Sequence, residues 1–155
     1  MGFLDSLFGR KREPAKSVDP AEIKDGVDCL IAFCRDVRCH AGEEVFVQDG
    51  MEKQVLSAYA FGGVHVLSQH RGFSPPQAHA MMLAVLHNYF GYGEENSTVK
   101  AQALINATGD KRSSIRAIIH RGIEGFLAWR QDREAFDAAD FRNLPATLRQ
   151  FKPSA

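Results

Sequence analysis

An all-α fold, a compact array of five main helices with short helices at its termini, is what this sequence predicts, on three observations. Apolar residues recur at spacings of three and four through most of the chain, and no stretch shows the strict alternation of a half-buried strand. Two segments open on complete helix-start signals, Asp19-Pro20-Ala21-Glu22 and Ser74-Pro75-Pro76-Gln77. Glycines punctuate the periodic segments at Gly42, Gly72, Gly91, Gly93 and Gly109. With 155 residues, 45% hydrophobic and 25% charged, the chain is sized for one globular domain with a substantial core. No internal repeat is present. The division expected is a tail over residues 1–16 and a single helical domain over residues 17–155.

The tail reads as a short amphipathic helix, with Phe3, Leu4, Leu7 and Phe8 on one face, followed by Arg10, Lys11 and Arg12 and a polar linker containing Pro14. Such a segment is compatible with an anionic membrane surface, with docking on the domain, or with disorder. It is not a secretory signal: Asp5 and Ser6 interrupt its apolar residues, and its bases follow them. No apolar run approaches the roughly 18–20 residues that span a bilayer, so the expected location is the cytoplasm.

The first helix is capped by Asp19 and buries Ile23, Val27, Leu30, Ile31, Cys34 and Val37; Gly42 ends it. Val45, Phe46 and Val47 are apolar but of undetermined type. The second helix is predicted from about Asp49 to His70, with Met51, Val55, Ala58, Tyr59, Gly62, Val66 and Gln69 on one face. Gly62 and Gly63 each cost about 1 kcal/mol in a helix interior relative to alanine. A close helix crossing, within the chain or between two chains, rationalises them. The third helix starts at the Ser74 capping box and carries Ala78, Met81, Met82, Val85, Leu86 and Tyr89. Gly91-Tyr92-Gly93 breaks it. A fourth helix, capped by Asn96 or Ser97, presents Val99, Ala103, Leu104 and Ala107. A fifth, capped by Ser113, presents Ile115, Ile118, Ile119, Ile123, Phe126, Leu127 and Trp129. A last short helix is expected around Glu134 to Phe141.

The formal net charge of zero hides a segregation. Residues 17–95 hold eleven acids and five bases, a net −6, while residues 96–155 hold ten bases and six acids, a net +4. Separated charge steers association and sets specificity. The basic stripe Arg112, Arg116 and His120 reads as a solvated face answered in part by acids of the first two helices, in preference to a phosphate-binding surface. That leaves Glu43, Glu44, Asp49 and Glu52 as exposed acids. Glu94 and Glu95 sit where the positive end of the fourth helix favours carboxylates, beside Tyr92, a residue type enriched in interface anchors.

Catalytic and metal chemistry find little support. There is no His-Glu-x-x-His, no Cys-x-x-Cys, no nucleophile elbow and no phosphate-binding glycine loop. His79 and His87 diverge by about 80° on one helix. Cys29, Cys34 and Cys39 are five apart, so neighbours point about 140° away from one another and share neither a disulfide nor a metal. They read as reduced thiols, with Cys34 in the core.

As a whole, the run Gly91-Tyr92-Gly93-Glu94-Glu95-Asn96 through Ala107-Thr108-Gly109-Asp110, then Ile118-Ile119-His120-Arg121-Gly122-Ile123 and Trp129, resembles bacterial polymorphic-toxin immunity proteins. In particular it is similar to the all-helical immunity 48 family, over about residues 20–130 and most sharply over residues 91–129. The resemblance implies a protein made beside a secreted toxin, which binds the toxic domain, often a nuclease, and blocks it stoichiometrically. It implies no catalysis and no cofactor; from the residues themselves, no metal and no nucleic-acid partner are expected either. One departure concerns charge: nuclease inhibitors are often strongly acidic, and only the first half of this chain is.

The function expected is therefore neutralisation of a cognate toxin by occlusion of its active site, through Glu43, Glu44, Asp49, Glu52, Tyr92, Glu94 and Glu95. The competing reading is a membrane-peripheral adaptor anchored through the amphipathic tail.

Overall fold

In the computed structural model, residues 20–41 and 51–136 are described, and five helices account for most of them: α1 Pro20–Ala41, α2 Met51–Arg71, α3 Pro75–Asn88, α4 Glu94–Thr108 and α5 Ser114–Gln131. No strand occurs among the described residues, and the all-α expectation holds. The expected terminal helix over residues 2–9, the Asp19 cap and residues 45–47 lie outside the described residues, as do residues 137–155.

α2 is the axis of the domain. It packs on α1, α3 and most extensively α5, and α4 closes the array against α3 and α5. Residues 55–68 of α2 are buried on every side, Ser57, His65 and Ser68 included. The single face expected for this helix is corrected accordingly: a helix surrounded by others has no solvent face to mark.

The glycines explain how α2 and α5 approach. A Cβ on Gly62 would lie 2.5 Å from the Ile119 carbonyl oxygen and the Ile123 amide nitrogen. A Cβ on Gly122 would collide with the Tyr59 carbonyl, and one on Gly125 with the Tyr59 hydroxyl. The close crossing inferred from Gly62 and Gly63 is thus made within the chain, backbone against backbone.

α1 buries Val27, Leu30, Phe33, Cys34 and Val37. Ile23 and Ile31 are only partly covered, and Phe33, absent from the expected face, is fully buried. Its ring meets Tyr59 at 5.7 Å, Phe126 at 5.1 Å, Trp129 at 5.3 Å and Phe136 at 6.2 Å. The three cysteines are free: Cys34 buried, Cys29 half-buried and Cys39 exposed, as their angular spacing requires.

α3 follows its sequence signals closely. The Ser74 hydroxyl accepts from the Gln77 amide at 3.3 Å, and the Gln77 side chain accepts from the Ser74 amide at 2.7 Å. Ala78, Met81, Met82, Val85 and Leu86 are buried. α4 departs from expectation. Its N-cap is Gly93, and Ser97 sits inside the first turn, buried, with its amide donating to the Gly93 carbonyl at 2.8 Å. The covered face is Ser97, Ala101, Leu104 and Thr108, while Val99 is 62% exposed. Leu104 is thus covered as expected, and Val99 is not. α5 starts at Ser113 as expected and buries Ile118, Ile119, Gly122, Phe126 and Trp129, with Leu127 left 44% exposed.

Within the described residues no helix begins at Glu134. Asp132 caps α5, its carboxylate accepts from the amides of Glu134 at 3.1 Å and Ala135 at 3.2 Å, and the turn delivers Phe136 into the core.

Candidate functional site

Of the residues expected to meet a partner, Tyr92, Glu94 and Glu95 are brought together at the junction of α3 and α4. Gly91, at φ +76°, reverses the chain after α3. The Tyr92 amide then donates to the Leu86 carbonyl at 3.2 Å. Its own carbonyl accepts from the Ser97 hydroxyl at 3.4 Å and from His87 Nδ1 at 2.8 Å. The Tyr92 backbone is thereby fixed, and its half-buried ring stacks on Phe90 at 6.2 Å. Burial pushes the Tyr92 hydroxyl pKa up, so it stays a neutral donor. Glu94 and Glu95 are exposed in the first turn of α4, as its positive end favours.

Two cations sit beside this group without warning from the sequence. Lys53 Nζ lies 4.9 Å and Lys100 Nζ 4.6 Å from the Tyr92 ring centroid. The Tyr92 ring therefore already carries two cations of this chain. Glu52 is in the first turn of α2, next to Lys53 in sequence, with its side chain outside the described residues. Glu43, Glu44 and Asp49 lie outside them altogether.

The acids of α1 are largely answered within the molecule. Lys24 pairs with Asp28 at 3.0 Å and Arg71 with Asp25 at 2.8 Å. Asp36 accepts from Trp129 Nε1 at 2.7 Å and from Arg133 at 2.9 and 3.2 Å. Burial opposes the Asp36 charge, but the bonds from Trp129 and Arg133 outweigh it and hold the carboxyl below its usual value. Charge from the positive half does reach α1, through Arg133. Among the described acids of residues 17–95, Glu22, Glu94 and Glu95 form no ion pair.

Among the described residues no three His, Cys, Asp or Glu side chains gather into a metal-binding group. Among them, too, no helix is long and apolar enough to cross a membrane.

His65 is 1% exposed in the middle of α2. Burial, seconded by His120 on α5, pushes its pKa from 6.5 down to about 4. Below pH 6.5 the unfolded chain binds a proton that the folded chain refuses, so this stabilisation is present above 6.5 and is lost as the pH falls toward 4. Urea unfolding is expected to show about 2 kcal/mol of His65-dependent loss between pH 7.5 and pH 5. Replacing His65 with glutamine should remove that component, and an unchanged pH slope in the variant would refute it.

The family model described as Immunity protein 48 matches residues 23–149. The chain belongs to this immunity protein family. No curated protein and no solved structure matches it.

Proposed function

We propose that the protein binds the toxic domain of a cognate secreted bacterial toxin, a nuclease among the candidates, in the cytoplasm of the producing cell and neutralises it by covering its active site. On this reading it is a stoichiometric inhibitor, without catalysis or cofactor. The contact face comprises Glu43, Glu44, Asp49 and Glu52 with Tyr92, Glu94 and Glu95. The observation that supports it most directly is the pair Glu94 and Glu95: exposed, unpaired among the described residues, and rigidly placed beside a fixed tyrosine. Exposed carboxylates without an intramolecular partner steer a basic surface during approach, and pairing with that surface offsets the cost of desolvating them.

The test is the double reversal Glu94→Lys with Glu95→Lys, assayed against the toxin domain encoded beside the gene. Both residues are exposed, so melting should change little. Affinity should fall at least about tenfold, chiefly through slower association, and the deficit should shrink at high salt. Wild-type affinity in the double variant would remove this face from the interface.

A further inference from the structure

α2 is 21 residues long, and Lys53 and Arg71 stand about 27 Å apart along it. At the Arg71 end, far from Tyr92, a cleft of about 430 Å³ opens between α1, α2 and α5. Asp25 and Cys29 line it from α1, Arg71 from α2, and Trp129, Arg130 and Arg133 from α5 and the turn after it.

The charges around this cleft can be matched one by one. Arg71 holds Asp25, Lys24 holds Asp28, and Arg133 holds Asp36. Arg130 is left over. Its guanidinium lies 5.7 Å from the Phe126 ring centroid, and among the described residues it meets no carboxylate. Cys29 lines the cleft together with the three arginines. Burial raises the thiol pKa, but Arg130, Arg71 and Arg133 pull against it, Arg130 most strongly, while Asp25 adds to the rise. The other two guanidiniums are already immobilised, Arg133 also lying over the Trp129 ring at 4.7 Å. Apart from Arg130 itself, the cleft wall therefore leaves a ligand little ordering cost to meet.

We infer that this cleft is a second contact point for the toxin domain, in which Arg130 receives the carboxylate of an acidic side chain. The inference rests on the function proposed above. One excess positive charge asks for one negative charge. A polyanion such as a nucleic acid would overshoot it and would meet Asp25 and Asp28, whose side chains are 69% and 60% exposed. Arginine is, moreover, a residue type enriched among interface anchors, and its planar fork matches a carboxylate.

Trp129 is the only tryptophan of the chain and lines the cleft, so its fluorescence reports occupancy. The full chain is titrated with the toxin domain encoded beside the gene, as wild type, as Arg130→Ala and as Arg130→Lys. Arg130 is exposed, and an unchanged melting temperature confirms that the variants fold. Expected are a change in Trp129 emission when the wild type binds, affinity at least about tenfold weaker for Arg130→Ala, and partial recovery in Arg130→Lys. If the wild type binds but Arg130→Ala binds equally well and Trp129 emission is unmoved, the inference falls and the function stands. If the wild type neither binds nor neutralises the toxin, both fall. A duplex oligonucleotide that perturbs Trp129 where the toxin domain does not would also overturn the inference.

Discussion

Replacing Gly122 with alanine is expected to cost at least about 3 kcal/mol of folding stability, a large effect for a single added methyl group. In an exposed helix the same change would stabilise by about 1 kcal/mol, since alanine is the better helix former. Here the new Cβ meets the backbone of Tyr59 on α2, and backbone inside a helix cannot swing aside. Relief requires the two helices to separate, which opens the packing along their whole contact. Gly62→Ala should behave alike, because its obstacles are also backbone atoms, of Ile119 and Ile123. Gly26 supplies the internal comparison. Its Cβ would lie 2.7 Å from the Met81 sulfur, the mobile part of a flexible side chain, so Gly26→Ala should cost much less. Urea denaturation of the three variants orders them. Equal stability for Gly122→Ala and wild type would refute the backbone contact.

Phe33→Ala is the second large effect, expected at about 3–5 kcal/mol. Phe33 is wholly buried and joins α1 to Tyr59 of α2, to Phe126 and Trp129 of α5, and to Phe136 beyond the last turn. Its removal leaves a void bounded by rings that cannot collapse into it without losing their own edge and stacking contacts. For a domain of this size, such a loss lowers the melting temperature by about 10 °C. Trp129, 5.3 Å away, should show the disturbance in its emission even before unfolding. Phe33→Leu, which keeps most of the volume, should cost under half as much. Similar melting of the alanine and leucine variants would show that the ring is not the hub of this core.

How much of this was readable in the chain varies by element. α3 could be read almost residue by residue, because its capping box, prolines and apolar face are local signals. The glycines of α2 announced a close approach but not its partner. Gly122 lies sixty positions away and resembles any tolerated glycine in a helix. In α4, hydrophobicity points to Leu104, which is covered, and to Val99, which is not, and it gives no sign of Ser97, Ala101 and Thr108, which complete the packed face. The charge pattern was legible as a sum and not as a map. Lys24 with Asp28 is a one-turn pair that spacing reveals. Arg71 with Asp25 and Arg133 with Asp36 join residues 46 and 97 positions apart, and only the tertiary fold brings them together. The same holds for Lys53 and Lys100 on Tyr92. Counting acids thus overstated the negative surface that a partner can meet.

The backbone contact between α2 and α5 also bears on how freely the surface of this immunity protein can change. Its core register is set by backbone atoms that every residue type shares, and by glycines whose Cβ positions the facing helix occupies, while Glu94, Glu95 and Arg130 are exposed. Substitutions at those exposed positions shift stability by only about 0.5 kcal/mol in either direction. The exposed surface can therefore change while the scaffold stands still, and a new surface does not first have to be rescued from misfolding.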